Sequence, residues 1–254
     1  MRFIDYFNAH ANLSHAFLHP GGRTASDELL GYIPRLDAKD QILELGCGTG
    51  STAKLLLERF PCRYTGIDAS PVMIKRASES LKKYGQRSTL LDCDIQKKEL
   101  PLPSESVSLV VAESVLAIVD PTVIIPEVHR VLRRGGYLAW NDRIWKESAT
   151  REEINSTNEL SKKLFGFHAA PVQPATSNDW QEFIQRQGFR ILVAKKIIPG
   201  ARSENKHSTL ISRSLRILFH PLSFIMLLKD HSTHKKYFSL WEQMENWIFI
   251  AQKN

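Results

Sequence analysis

The sequence predicts an α/β protein: a mainly parallel sheet of seven strands, helices on both faces, and a helical insertion before the last strand. Three observations lead there. Short apolar runs alternate with helical patterns between residues 41 and 142, the order of elements that builds a parallel sheet covered on both sides. A turn with three glycines joins the first strand candidate to the first helix of that series. Two further strand candidates close the chain, with a long basic stretch between them.

The elements follow in order. QILELG (41–46) reads as a buried strand and leads into a helix over 51–60; RYTGID (63–68) is the second strand. Ser70 and Pro71 open the next helix, a side-chain cap followed by Pro at the first helical position. STLLDC (88–93) and VSLVVAES (107–114) are the third and fourth strands. A helix near 121–134 is expected to end in Arg133, Arg134 and Gly135, where a helix C-terminus favours cations and glycine. GYLAWND (136–142) is the fifth strand. Helical stretches follow over 151–164 and 177–187, the second capped by Ser177 or Asn178. GFRILVAKKI (188–197) and NWIFIAQK (246–253) are the sixth and seventh strands, and the roughly 45 residues between them are an insertion rather than a second domain. The expected organisation is an N-terminal arm and helix over 1–37, then one domain over 38–254 interrupted by helical segments at 143–187 and 199–245.

Composition narrows the class. Apolar residues at 43 % and charged residues at 24 % are ordinary globular proportions, which exclude disorder and collagen-like repeats. Three cysteines cannot build a disulfide framework, so a reducing, cytoplasmic setting is expected. The N-terminus has no unbroken apolar core and does not read as a signal peptide. The most apolar run, 215–228, is broken by Arg216, His220 and Pro221 and falls short of the roughly 20 residues that a spanning helix needs. The net charge of +7 is local: residues 195–236 hold nine cations against Glu204 and Asp230, and the rest of the chain is neutral overall. The nucleic-acid reading that a basic chain invites therefore applies to that segment alone.

The chemistry concentrates at ILELGCGTG (42–50). A strand ends in Glu44 and turns through Gly46, Gly48 and Gly50 into a helix. Glycines permit positive φ and a close backbone approach to a ligand, at the strand ends where open parallel sheets bind ligands. A dinucleotide fingerprint would need Gly or Ala at position 51, which is Ser51, and Glu44 is a poor neighbour for a pyrophosphate. An acidic residue before the loop suits a cationic group such as an amino-acid ammonium. The ligand that joins an ammonium to a ribose and an adenine is S-adenosylmethionine.

Over residues 40–142 the sequence resembles the class I S-adenosylmethionine-dependent methyltransferases, in the small-molecule (type 11-like) branch. The resemblance implies a Rossmann-like fold and S-adenosylmethionine as cofactor. The loop with Glu44, Gly46, Cys47, Gly48 and Gly50 would wrap the methionine moiety. Asp68, followed by Ala69, would bind the ribose hydroxyls, a task a carboxylate suits because it accepts from both at once. Met73 would pack near the adenine. Asp94 would take the adenine amino group, and the backbone N–H of Ile95 a ring nitrogen. Glu113 and Ser114 match the floor of the pocket beneath the sulfonium. One departure is Val107-Ser108, where the family usually has Phe-Asp.

Methyl transfer needs an acceptor held about 3 Å from the methyl carbon, and a base only where the acceptor must lose a proton. The tetrapeptide typical of exocyclic base-amine methylation is replaced by Glu113-Ser114-Val115-Leu116, and the cysteine required for cytosine C5 methylation is absent. Cys and His show no metal-ligand spacing. In relatives the N-terminal arm folds over the cofactor, which implicates Tyr6 as a contact to the methionine end and His15 or His19 as a general base; Asp142 and His168 are further pocket candidates, while His129 is structural. The expected function is methyl transfer to a nitrogen or oxygen of a small-molecule acceptor, with the basic insertion as its lid. The competing readings are an RNA or protein acceptor met through 195–236, and a lipophilic acceptor at a membrane surface touched through 211–229. The absence of an RNA-binding motif, and aromatics that sit in apolar runs, count against nucleic acid. The oligomeric state is not written in the sequence.

Overall fold

The computed structural model describes residues 8, 17, 19, 21–96, 99–197 and 242–254. The first helix described along its whole length is α1 (Gly22–Gly31). Then β1 (Gln41–Leu45), α2 (Ser51–Arg59), β2 (Arg63–Asp68), α3 (Pro71–Leu81) and β3 (Ser88–Asp92) alternate. They are followed by β4 (Val107–Glu113), α4 (Pro121–Val131) and β5 (Leu132–Trp145). Helices α5 (Arg151–Phe165) and α6 (Ser177–Arg186) precede β6 (Phe189–Ile197) and β7 (Met244–Lys253). The seven strands form one sheet in the order β3-β2-β1-β4-β5-β7-β6, with β7 antiparallel to both neighbours and the first five strands parallel. Every residue of β4 is buried, as is all of β1 beyond Gln41, which is why these strands read as apolar runs without alternation.

Each sheet face carries its own core. On one side Trp140 stacks on Phe249, centroids 4.6 Å apart, with Trp180 and Phe189 beside them. On the other, Leu29 and Leu30 of α1 meet Ile42, Leu56 and Tyr64. Helix α1 thus belongs to the sheet packing, and α6 contributes Trp180 and Ile184 to the core beside β6. The insertion expected over 199–245 falls outside the described residues as far as 241, and with it the candidate membrane contact 211–229. Lys195 and Lys196, at the start of the basic segment, pair with Glu28 and Glu245. Among the described residues no helix is long and apolar enough to cross a membrane.

Three local expectations are corrected. Helix α4 stops at Val131, and Arg133 and Arg134 lie in β5 instead of capping the helix. The freed carbonyls are met from the far end of the chain: Lys253 Nζ donates to His129 O (2.8 Å) and Leu132 O (2.7 Å), and Arg133 pairs with Asp40 at 2.9 Å. Helix α6 is capped by Thr176, whose hydroxyl accepts from Asp179 N–H while the Asp179 carboxylate accepts from Thr176 N–H, so neither Ser177 nor Asn178 is the cap. Strand β5 continues past Asp142 to Trp145 because β7 runs alongside it to Met244. Lys253 is 7 % exposed, so Lys253→Met should leave two carbonyls without a donor and lower stability by about 1–3 kcal/mol, read as a lower urea midpoint at unchanged slope.

Candidate active site

The strand order reverses between β1 and β4, and ligand sites form outside the carboxyl ends of strands at such a reversal. A cleft of about 990 Å³, measured to its open mouth, lies there. The loop after β1 turns with Gly46, Gly48 and Gly50 at φ of 65°, 52° and 80°. At Gly46 a Cβ would stand 2.5 Å from Val115 Cγ2, whereas at Gly48 it would meet open space. The first glycine is needed for packing and the second leaves bare backbone facing the cleft. Asp68 fixes the loop: its Oδ2 accepts from Gly48 N–H at 2.9 Å, and its Oδ1 from Ser70 N–H at 2.8 Å.

Glu44, Gly46, Cys47, Gly48, Asp68, Ala69, Met73, Asp94, Ile95, Glu113, Ser114 and His19 all line this cleft. Gly50 does not; it is the N-cap of α2, its Cβ position facing Leu81 and Ala77. Asp142 does not either. It is fully buried in the middle of β5, where it accepts the backbone N–H of Leu116 at 3.1 Å and so supports the cleft-lining loop from behind. His168 is exposed and away from the cleft. Tyr6 and His15 lie outside the described residues.

Four carboxylates line the cleft, and among the described residues no Lys or Arg does. Burial pushes the Glu44 carboxyl well up, opposed by the hydrogen bond it accepts from Tyr64 OH at 2.5 Å and reinforced by the charges of Glu113 and Asp68. Burial raises Asp68 as well. The Cys47 thiol is pushed well up by burial and by Glu44 and Asp68, the opposite of what a nucleophilic cysteine requires. Asp142 is raised well above the carboxylate range by burial, against the backbone N–H groups it accepts from. A raised carboxyl adds stability that is fully present below its unfolded pKa and lost as pH rises through the folded one. Asp142→Asn keeps an acceptor for Leu116 N–H without titrating. Its thermal stability relative to wild type should therefore grow from nil near about pH 4 as pH rises; a pH-independent difference would contradict this.

Glu113 gathers side chains of which the sequence singled out only His19. It lies opposite Asn141 in the β4–β5 register, and its carboxylate accepts from Ser26 Oγ at 2.9 Å, Thr52 Oγ1 at 2.9 Å and Asn141 Nδ2 at 3.2 Å, with His19 Nε2 at 3.2 Å. Phe17, Thr52, Ser70, Val115, Ile118 and Val119 also line the cleft unforeseen. The apolar run straight after Glu113-Ser114 was the available signal for the last three. Ser114 sits at φ 57°, a strained conformation for a residue with a Cβ, of the kind that clusters at ligand sites.

Known proteins share parts of this sequence and its fold. Residues 43–140 match the methyltransferase domain family. The chain is 28 % identical to the uncharacterized methyltransferase YodH of Bacillus subtilis (strain 168) over 92 % of its length and 93 % of that protein. It is 30 % identical to a trans-aconitate 2-methyltransferase of Azoarcus sp. (strain BH72), over 60 % of this chain and 58 % of that one. Its fold superposes on phosphoethanolamine N-methyltransferase 2 of Haemonchus contortus, solved with S-adenosyl-L-methionine, with a TM-score of 0.68 at 18 % identity, over 98 % of this chain and 56 % of that one. In fold the chain is similar to the class I methyltransferases, and in sequence that similarity is carried by residues 43–140.

Proposed function

We propose that this protein transfers a methyl group from S-adenosylmethionine to a nitrogen or oxygen of a small-molecule acceptor. The observation that carries the reading is the acid-lined cleft without described cations: it suits a ligand bearing ammonium and sulfonium charges and vicinal hydroxyls, and repels a pyrophosphate. The relatives named for trans-aconitate and phosphoethanolamine support the small-molecule class.

The residues present fit that ligand. Asp68 keeps lone pairs beyond the two backbone bonds it accepts and would take the ribose hydroxyls. Asp94, which accepts Gln96 N–H at 3.1 Å, and the backbone of Ile95 would meet the adenine edge, with Met73 packed against the ring. Glu44 would face the ammonium, with the bare backbone of Gly46 and Gly48 admitting the methionine chain. When bound, the cofactor supplies a methyl carbon already activated by its sulfonium, so one displacement forms the acceptor–carbon bond and breaks the sulfur–carbon bond. The cleft orients the partners and excludes water. Incubation of the purified chain with methyl-labelled S-adenosylmethionine and a metabolite extract should place label in small molecules; label confined to RNA, protein or lipid would assign the acceptor to that class instead.

A further inference from the structure

His19 reaches the cleft through a turn that its own sequence builds. Gly21 and Gly22 lie at φ 79° and 52°, and Gly22 N–H donates to His19 O at 3.1 Å. A Cβ at Gly21 would come within 2.7 Å of Ala25 Cβ. The turn sets the imidazole over Ser26 in α1, where its side chain is 6 % exposed. Nε2 lies 3.1 Å from Ser26 Oγ and 3.2 Å from Glu113 Oε2, and Nδ1 lies 3.2 Å from Asn141 Nδ2.

Hydrogen counting fixes the ring. Ser26 Oγ has one hydrogen and stands 2.9 and 3.0 Å from the two Glu113 oxygens, so it donates to the carboxylate and turns a lone pair toward Nε2. Nε2 then faces two acceptors and must carry a hydrogen. Asn141 must direct its amide nitrogen at Glu113, because its oxygen there would oppose a carboxylate oxygen at 3.2 Å. The same nitrogen confronts Nδ1, which must therefore be the bare, accepting one. A doubly protonated ring would set two donors face to face at that contact.

We propose that His19 is a positioning residue and not a proton carrier: a neutral imidazole, protonated on Nε2, that Glu113 and Asn141 hold as a fixed part of the cleft wall. Both nitrogens are engaged by protein groups, which removes the general-base role that the sequence suggested for it. Fixing the ring also fixes Phe17, which meets it edge to face with centroids 5.9 Å apart, lines the same cleft, and stands at φ 54°, a conformation that needs neighbours to hold it. The effect on binding rests on the cofactor assignment above; the protonation state of the ring does not.

Two measurements on the full chain test this. In nitrogen-15 NMR spectra, the His19 ring, identified by its loss in His19→Gln, should show a protonated Nε2 and a bare Nδ1. A glutamine carboxamide can donate to Glu113 and accept from Asn141. S-adenosylhomocysteine, followed by calorimetry, should therefore bind His19→Gln within about threefold of wild type and His19→Ala about tenfold more weakly or worse. Protonation on Nδ1, binding by His19→Gln as poor as by His19→Ala, or unchanged binding by His19→Ala would each overturn the proposal. Failure of wild type to bind overturns the cofactor assignment alone, and the ring signals then decide the role of His19.

Discussion

Glu113→Ala should lower the free energy of unfolding by about 3 kcal/mol or more, because it strands several buried donors at once. Ser26, Thr52, Asn141 and His19 converge on this carboxylate from α1, α2, β5 and the segment before α1. Water cannot replace it easily: Ser26 and Asn141 are fully buried and Thr52 is 4 % exposed. Each stranded donor is worth about 1–3 kcal/mol, less whatever local rearrangement recovers. Glu113→Gln should lose less, since one oxygen still accepts, although its amide now faces donors. The check is urea denaturation of the three proteins side by side. A midpoint for Glu113→Ala equal to wild type would mean that these contacts do not hold the cleft together.

Gly46→Ala and Gly48→Ala should separate two roles within one loop. Both force a Cβ into the left-handed region, which costs about 1–2 kcal/mol. Gly46→Ala adds a clash at 2.5 Å with Val115 Cγ2, so the loop must move away from the end of β4; both stability and ligand affinity should fall. Gly48→Ala meets nothing in the protein. Its methyl group projects into space that the ligand would fill, so affinity should drop well beyond its modest loss of stability. Thermal unfolding and cofactor titration of both variants read the two effects independently. Equal stability of the two variants would contradict the packing role assigned to Gly46.

The strands were legible because burial on both faces writes a continuous apolar run, and β1, β2 and β4 begin and end within a residue of where the runs do. The end of α4 was not, since the group that satisfies its carbonyls, Lys253, arrives from 121 residues away along the chain. The glycine loop and the acids at the strand ends were readable because their chemistry is local. The Glu113 cluster was hidden: Ser26, Thr52 and Asn141 are ordinary polar residues, and only register and helix placement bring them together. Asp142 shows the converse error. It follows Asn141 in a strand whose successive side chains point to opposite faces, so with Asn141 on the Glu113 side Asp142 turns away from the cleft.

The cleft is expected to bind S-adenosylmethionine through the residues at its strand ends. Calorimetric titration of the purified chain with S-adenosylmethionine, beside Asp68→Ala, addresses it most directly. The geometry predicts one molecule bound per chain, and an affinity weakened by about 1–3 kcal/mol when the Asp68 carboxylate is removed. Absence of binding by the folded wild type, or equal affinity in the variant, would contradict it.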